Sequence, residues 1–150
     1  MARGLLMYFD INTGYYPGLH HGLAYLMGSV NKDNDVKFFH LYHEKHLNEA
    51  KDLIENNSWD FVGVSFTTNQ RRYLWDLFNT TSVSNQLVIG GGVHPTLDKL
   101  NTFNEFPEFD AICVGEGEVP FVELCERIDN GRDIYETPSF TFKTLDGSGK

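Results

Sequence analysis

Val88-Ile89-Gly90-Gly91-Gly92-Val93-His94-Pro95-Thr96 decides how this chain is read. A short β-branched run empties into three glycines, and a Pro-Thr pair then opens a helix. Glycine at such a point lets the backbone take positive φ and lets a ligand come close to the main chain. In open α/β sheets, ligands bind outside the carboxyl ends of the strands, where this loop sits. Working outward, apolar runs at residues 4–9, 36–42, 61–66, 87–89 and 111–114 read as strands. Helical periodicity falls between them, at residues 19–30, 44–56, 69–80, 96–103 and 119–129. The stripe Leu47, Ala50, Leu53 and Ile54 shows the three- and four-residue spacing of an inward helix face. Tyr73, Leu74, Leu77 and Phe78 repeat it, as do Phe121, Val122, Leu124, Cys125 and Ile128. Asn130-Gly131 closes the last helix with residues that tolerate the left-handed conformation. Strand–helix alternation means βαβ units and a parallel sheet covered on both faces. The expectation is an α/β, flavodoxin-like, doubly wound sheet of five parallel strands in the order 2-1-3-4-5, with helices on both faces.

The two edges of such a sheet differ. The amino-end connections, such as Asn31-Lys32-Asp33-Asn34-Asp35 and Asn56-Asn57-Ser58-Trp59-Asp60, are ordinary polar turns. The carboxyl-end loops are Ile11-Asn12-Thr13-Gly14-Tyr15-Tyr16-Pro17-Gly18, Ser65-Phe66-Thr67-Thr68, Gly90 to Thr96, and Gly115-Glu116-Gly117-Glu118. Glycines, hydroxyls, histidine and aromatics collect on that edge, which marks it as the site. Ser65, Thr67 and Thr68 offer hydroxyls to a ligand's amides, although Thr68 also suits a helix cap. His20, His21 and His94 lie on the same edge; His40, His43 and His46 read as surface or edge residues. Glu116 and Glu118 suit the positive end of the helix that follows, and Glu116 alternatively faces a ligand or a following domain.

Bulk properties narrow the function. A chain of 150 residues is long enough for one domain with a real core. The formal net charge of −9 disfavours nucleic acid or an anionic membrane surface as partner. No 18-residue apolar run is present, and the five-residue apolar run near the start is too short for a signal peptide. Cys113 and Cys125 are too few and too far apart for a zinc or iron–sulfur ligand set, and read as buried reduced thiols of a cytoplasmic protein. The glycine loop is neither GxGxxG nor a P-loop. No Ser-His-Asp or Cys-His pattern stands out, so neither a catalytic residue nor a metal ligand is assigned.

Four segments, in order and spacing, resemble the N-terminal cobalamin-binding domain of cobalamin-dependent radical SAM proteins. They are Pro17-Gly18-Leu19-His20-His21-Gly22-Leu23-Ala24-Tyr25-Leu26, Asp60-Phe61-Val62-Gly63-Val64-Ser65, Gly91-Gly92-Val93-His94-Pro95-Thr96, and Asp110-Ala111-Ile112-Cys113-Val114-Gly115-Glu116-Gly117-Glu118. The wider cobalamin pattern has Asp-x-His-x-x-Gly after the first strand. With Gly22 on the motif glycine, Pro17 stands at the Asp position and Leu19 at the His position; His20 is one residue, about 100°, out of phase. The resemblance therefore implies cobalamin bound base-off with no histidine below cobalt. It implies Ser65, Gly91 and Gly92 along the slot for the nucleotide tail, and apolar contact from Tyr15, Leu19 and Val93. The cofactor set it implies is Tyr15, Leu19, His20, Gly22, Ser65, Thr67, Thr68, Gly91, Gly92, Val93, His94, Gly115 and Glu116.

The resemblance further assigns residues 1–135 to a Rossmann-like cobalamin domain and residues 136–150 to a linker toward a radical SAM domain. The cluster cysteines of that family are not in this sequence. S-adenosylmethionine, a 4Fe-4S cluster and catalysis, of methyltransferase or Fe-S oxidoreductase class, are thus expected in another domain, in cis or in trans. Two other readings stay open at this stage: a non-catalytic interaction domain whose slot is filled by its own side chains, and a flavodoxin-type flavin carrier.

Overall fold

The computed structural model describes residues 1–14 and 20–144. Six strands form one sheet: β1 (Arg3–Phe9), β2 (Asp35–Leu41), β3 (Phe61–Ser65), β4 (Leu87–Gly91), β5 (Ala111–Cys113) and β6 (Phe140–Phe142). Their order is β2-β1-β3-β4-β5-β6. The first five are parallel in the expected 2-1-3-4-5 order, while β6 pairs antiparallel to β5. The sheet thus has one strand more than the five expected. Ser139-Phe140-Thr141-Phe142 alternates as an edge strand should, and Phe140 and Phe142 are buried. The sheet therefore runs past residue 135 into the stretch expected to be linker.

The helices are α1 (His21–Val30), α2 (His46–Glu55), α3 (Arg71–Thr80), α4 (Val93–Leu97), α5 (Lys99–Glu105) and α6 (Glu118–Asp129). The single helix expected over 96–103 is two short ones. Asp98, at φ −135° and ψ 58°, breaks them; its carbonyl accepts from the Thr102 amide and hydroxyl, and its carboxylate accepts from the Asn101 side-chain amide. Gly90 and Gly91, read as loop, extend β4 instead. The α6 terminus is as expected: Gly131 takes φ 62°, and the Gly131 and Arg132 amides donate to the Ile128 and Arg127 carbonyls.

Side chains alternate across the strands and so make two cores. One face carries Leu5, Met7, Val62, Val64 and Val88 under Ala50 and Ile54 of α2, Leu74 and Leu77 of α3, and Phe103 of α5. Phe66, Phe78, Phe106 and Phe109 pack there at centroid distances of 5.5–6.3 Å. Burial of each such ring contributes about 1.5–3 kcal/mol. The other face carries Leu6, Phe61, Ile89 and Cys113 under Leu23 and Leu26 of α1 and Phe121 and Leu124 of α6.

His46 departs from the edge reading. It is buried at the start of α2, where its Nδ1 accepts from the Tyr42 and His43 amides. Burial pushes its pKa below the ordinary histidine value. Among the described residues, no helix is long and apolar enough to cross a membrane.

Candidate functional site

At the carboxyl edge, the first turns of α1 and α6 and the loops after β3, β4 and β5 enclose a cavity of about 380 Å³. This lies within the range of roughly 300–1,000 Å³ that small-molecule sites occupy. Strand register orders its walls. Leu6, Gly63 and Ile89 stand side by side across β1, β3 and β4, and one pleat further on so do Tyr8, Ser65 and Gly91. The first row, with Leu26, Cys113 and Phe121, makes an apolar floor; the second, with Thr67 and Thr96, makes a collar of hydroxyls nearer the surface.

Glycines make the room. A Cβ at Gly91 would meet nothing nearer than the Val64 carbonyl at 4.0 Å, so the main chain there is bare to the cavity. Gly92, at φ +96°, comes so close to β3 that a Cβ would lie 2.9 Å from both Ser65 Oγ and the Phe66 carbonyl. The bend therefore turns toward Ser65. Gly115 takes φ +77°, and its amide donates to Thr96 Oγ1 at 3.3 Å, tying the β5 loop to α4. A Cβ at Gly117 would press on Phe121 at 3.2 Å.

Of the residues singled out in the sequence, His20, Gly22, Ser65, Thr67, Gly91, Gly92, Val93, Gly115 and Glu116 all line this cavity. Tyr15 and Leu19 lie outside the described residues. Thr68 and His94 do not line it. His94 Nδ1 lies 3.0 Å from Thr68 Oγ1, and the buried ring packs 5.5 Å from Phe66. The reason is helical phase: α4 starts at Val93, and one residue later the side chain has turned about 100°, into the other core. This pair joins the β3 and β4 loops from behind. Among the described residues, His94 Nε2 has no hydrogen-bond partner; Glu105 Oε2, 4.0 Å away, is engaged by Arg71 at 3.1 Å.

His20 caps α1: its Nδ1 accepts from the Leu23 amide at 3.4 Å. In the neutral ring an accepting Nδ1 leaves the proton on Nε2. Its ring lies 5.0 Å from Tyr8, which stacks at 5.3 Å on His40, and His40 Nε2 is 3.1 Å from Asp10 Oδ2. Burial, and then the Asp10 carboxylate, raise the Tyr8 phenol above its ordinary value, so it is a neutral hydroxyl at the mouth. Burial, and then Glu118 and Glu116, push the Cys113 thiol up to about 12, so the floor carries no charge.

Sequence reading missed Leu6, Tyr8, Gly63, Ile89, Cys113 and Phe121. The strand members among them had a signal: Gly63 and Ile89 stand two residues before Ser65 and Gly91, hence on the same face. Nothing local pointed to Phe121, which comes in from α6.

No family model matches the sequence. An uncharacterized methyltransferase of Pyrococcus horikoshii is 30% identical over a match of 128 positions that covers 81% of this chain and 27% of that protein. The cobalamin-dependent S-adenosylmethionine radical enzyme OxsB, solved with aqua-cobalamin and S-adenosylmethionine bound, matches with a TM-score of 0.80 at 16% identity, over 100% of this chain and 22% of its own. The radical S-adenosylmethionine methyltransferase TsrM from Kitasatospora setae, solved with cobalamin and a 4Fe-4S cluster bound, matches with a TM-score of 0.70 at 19% identity, over 98% of this chain and 28% of its own. This chain thus spans between 22% and 28% of the length of these proteins. It has the fold of a segment of cobalamin-dependent radical SAM enzymes, the family whose cobalamin-binding domain its sequence resembles.

Proposed function

We propose that this chain is a corrinoid-binding module that holds cobalamin base-off, with the nucleotide arm in the cavity and the corrin ring across the carboxyl edge of the sheet. The observation that carries the reading is the bare backbone of Gly91 and Gly92 beside Ser65, opening on a cavity with an apolar floor and a hydroxyl collar. That donor set suits an arm with a polar middle and an aromatic end. No lysine or arginine lines the cavity among the described residues. A phosphodiester there is met instead by hydroxyls of Ser65, Thr67 and Thr96 and by amides at the start of α1 and α6, both of which begin at its rim. The capping role of His20 supports a lower cobalt face without histidine.

When bound, cobalamin supplies a cobalt centre able to accept and release a methyl group. The chain's own residues do the rest: Ser65 and the glycines seat the arm, Val93 and Leu97 give apolar contact at the mouth, and Tyr8 closes the β2 side. The chemistry on S-adenosylmethionine and its 4Fe-4S cluster belongs, in this reading, to a radical SAM domain in cis, in a methyltransferase or related enzyme. The two buried free thiols suit a cytoplasmic protein.

The test is direct. The protein is mixed with excess hydroxocobalamin under anaerobic conditions and desalted, and its visible spectrum is recorded. Near-stoichiometric retention with base-off absorbance is expected. In Gly91→Leu, whose side chain projects into the cavity, retention is lost while circular dichroism and the melting temperature stay native. A folded wild-type protein that retains no corrinoid overturns the reading.

A further inference from the structure

Cavity depth, side-chain chemistry and backbone pairing together say more about the arm than that it fits. Leu6, Leu26, Ile89 and Phe121 bring only carbon to the floor, Gly63 brings no side chain, and Cys113 brings a neutral thiol. The floor's backbone offers nothing more. β1, β3 and β4 each have a hydrogen-bonded strand on both sides, so their amides and carbonyls are spent in the ladder. Hydroxyls stand one pleat higher, in the row of Tyr8 and Ser65. A polar collar over a floor without strong donors or acceptors sorts ligands by the end that goes deepest.

We infer that this site selects corrinoids by their lower base, taking those that end in a benzimidazole or phenol ring and rejecting those that end in adenine. The inference rests on the reading of the chain as a corrinoid module and adds the ligand class. An adenine in the floor would leave its exocyclic amine and ring nitrogens unpaired after they lost water. An unmatched buried polar group of that kind weakens binding by roughly ten- to a hundredfold. A dimethylated benzimidazole or a cresol ring carries no such group at its deep end.

Isothermal titration of the wild-type protein with four corrinoids tests this: cobalamin, a cresol-tailed corrinoid, an adenine-tailed corrinoid, and tailless cobinamide. Cobalamin and the cresol-tailed form are expected within about threefold of each other. The adenine-tailed form and cobinamide should each bind at least about tenfold more weakly than cobalamin. Equal affinity for the adenine-tailed form and cobalamin overturns the inference and leaves corrinoid binding standing. So does equal affinity for cobinamide, which would mean that no tail enters the cavity. Failure of all four to bind overturns the functional reading and the inference with it.

Discussion

Gly90 and Gly91 are neighbours in β4, but they face opposite sides of the sheet, and the two sides are built for different ends. A Cβ at Gly90 would lie 3.2–3.3 Å from three atoms of the Phe109 ring; at Gly91 it would meet only the Val64 carbonyl, at 4.0 Å. Behind Gly90, α2, α3 and α5 close over an aromatic cluster in which Phe66, Phe106 and Phe109 are all but inaccessible. In front of Gly91, α1 and α6 pack on the sheet, and their first turns line the cavity at its carboxyl edge. One face is packed throughout and the other leaves part of its volume as an open cavity. The lesson is that a single strand can serve both because the pleat sends alternate residues to separate environments.

Mutation of the sealed face should give the largest effect. Phe109→Ala removes a fully buried ring that touches Phe66, Phe78 and Phe106, and should lower the unfolding free energy by about 3–5 kcal/mol in urea denaturation. A change under 1 kcal/mol would mean that this core is loosely packed, and the contrast between the faces would fail.

The two glycines sharpen the comparison at the scale of one methyl group. Gly90→Ala must push a ring that is itself hemmed in, and should cost about 1–3 kcal/mol by the same measurement. Gly91→Ala meets no obstacle and should leave stability within about 0.5 kcal/mol, or raise it slightly, since alanine holds a strand better than glycine. Corrinoid affinity should show the reverse order, falling in Gly91→Ala and holding in folded Gly90→Ala. If both variants lose stability equally, the cavity is not where the strand faces it.

The smallest effect lies at the start of α2. The lowered pKa of His46 means that its neutral form is favoured in the folded protein, because burial opposes the charge and Nδ1 is occupied as an acceptor. The unfolded chain then binds the proton more readily. Stability from this residue is complete above the ordinary histidine value of 6.5 and is lost as pH falls below it. The urea midpoint should drop between pH 7.5 and 5, and drop less in His46→Gln, whose amide oxygen accepts without titrating. Binding at the glycine edge, on the far side of Tyr8, should not follow that change.

How much was legible can be judged from particular residues. Ser65, Gly91, Gly92, Gly115 and Glu116 share one cavity because each ends a strand or fills a carboxyl-end loop, and the doubly wound topology brings all such ends together. His94 and Thr68 belong to the same loops but turned out to bond each other, because their directions depend on where a helix begins to the residue. The second half of the cavity went unseen because it is not local: Gly63 lies beside Leu6 only through strand register, and Phe121 reaches it from a helix more than fifty residues away.

By itself the sequence determined the alternation of strands and helices, the parallel order of the first five strands, the edge at which glycine and hydroxyls gather, and the closure of α6 at Gly131. These follow from side-chain periodicity and from the freedom of glycine, which act over a few residues. Only the tertiary structure decided that Phe140–Phe142 joins the sheet antiparallel, that α4 and α5 part at Asp98, that His94 turns away from the cavity, and that the floor beneath Ser65 is apolar. Each of these depends on which distant segment lies alongside, and that is set when the two cores pack, not by any short stretch of chain.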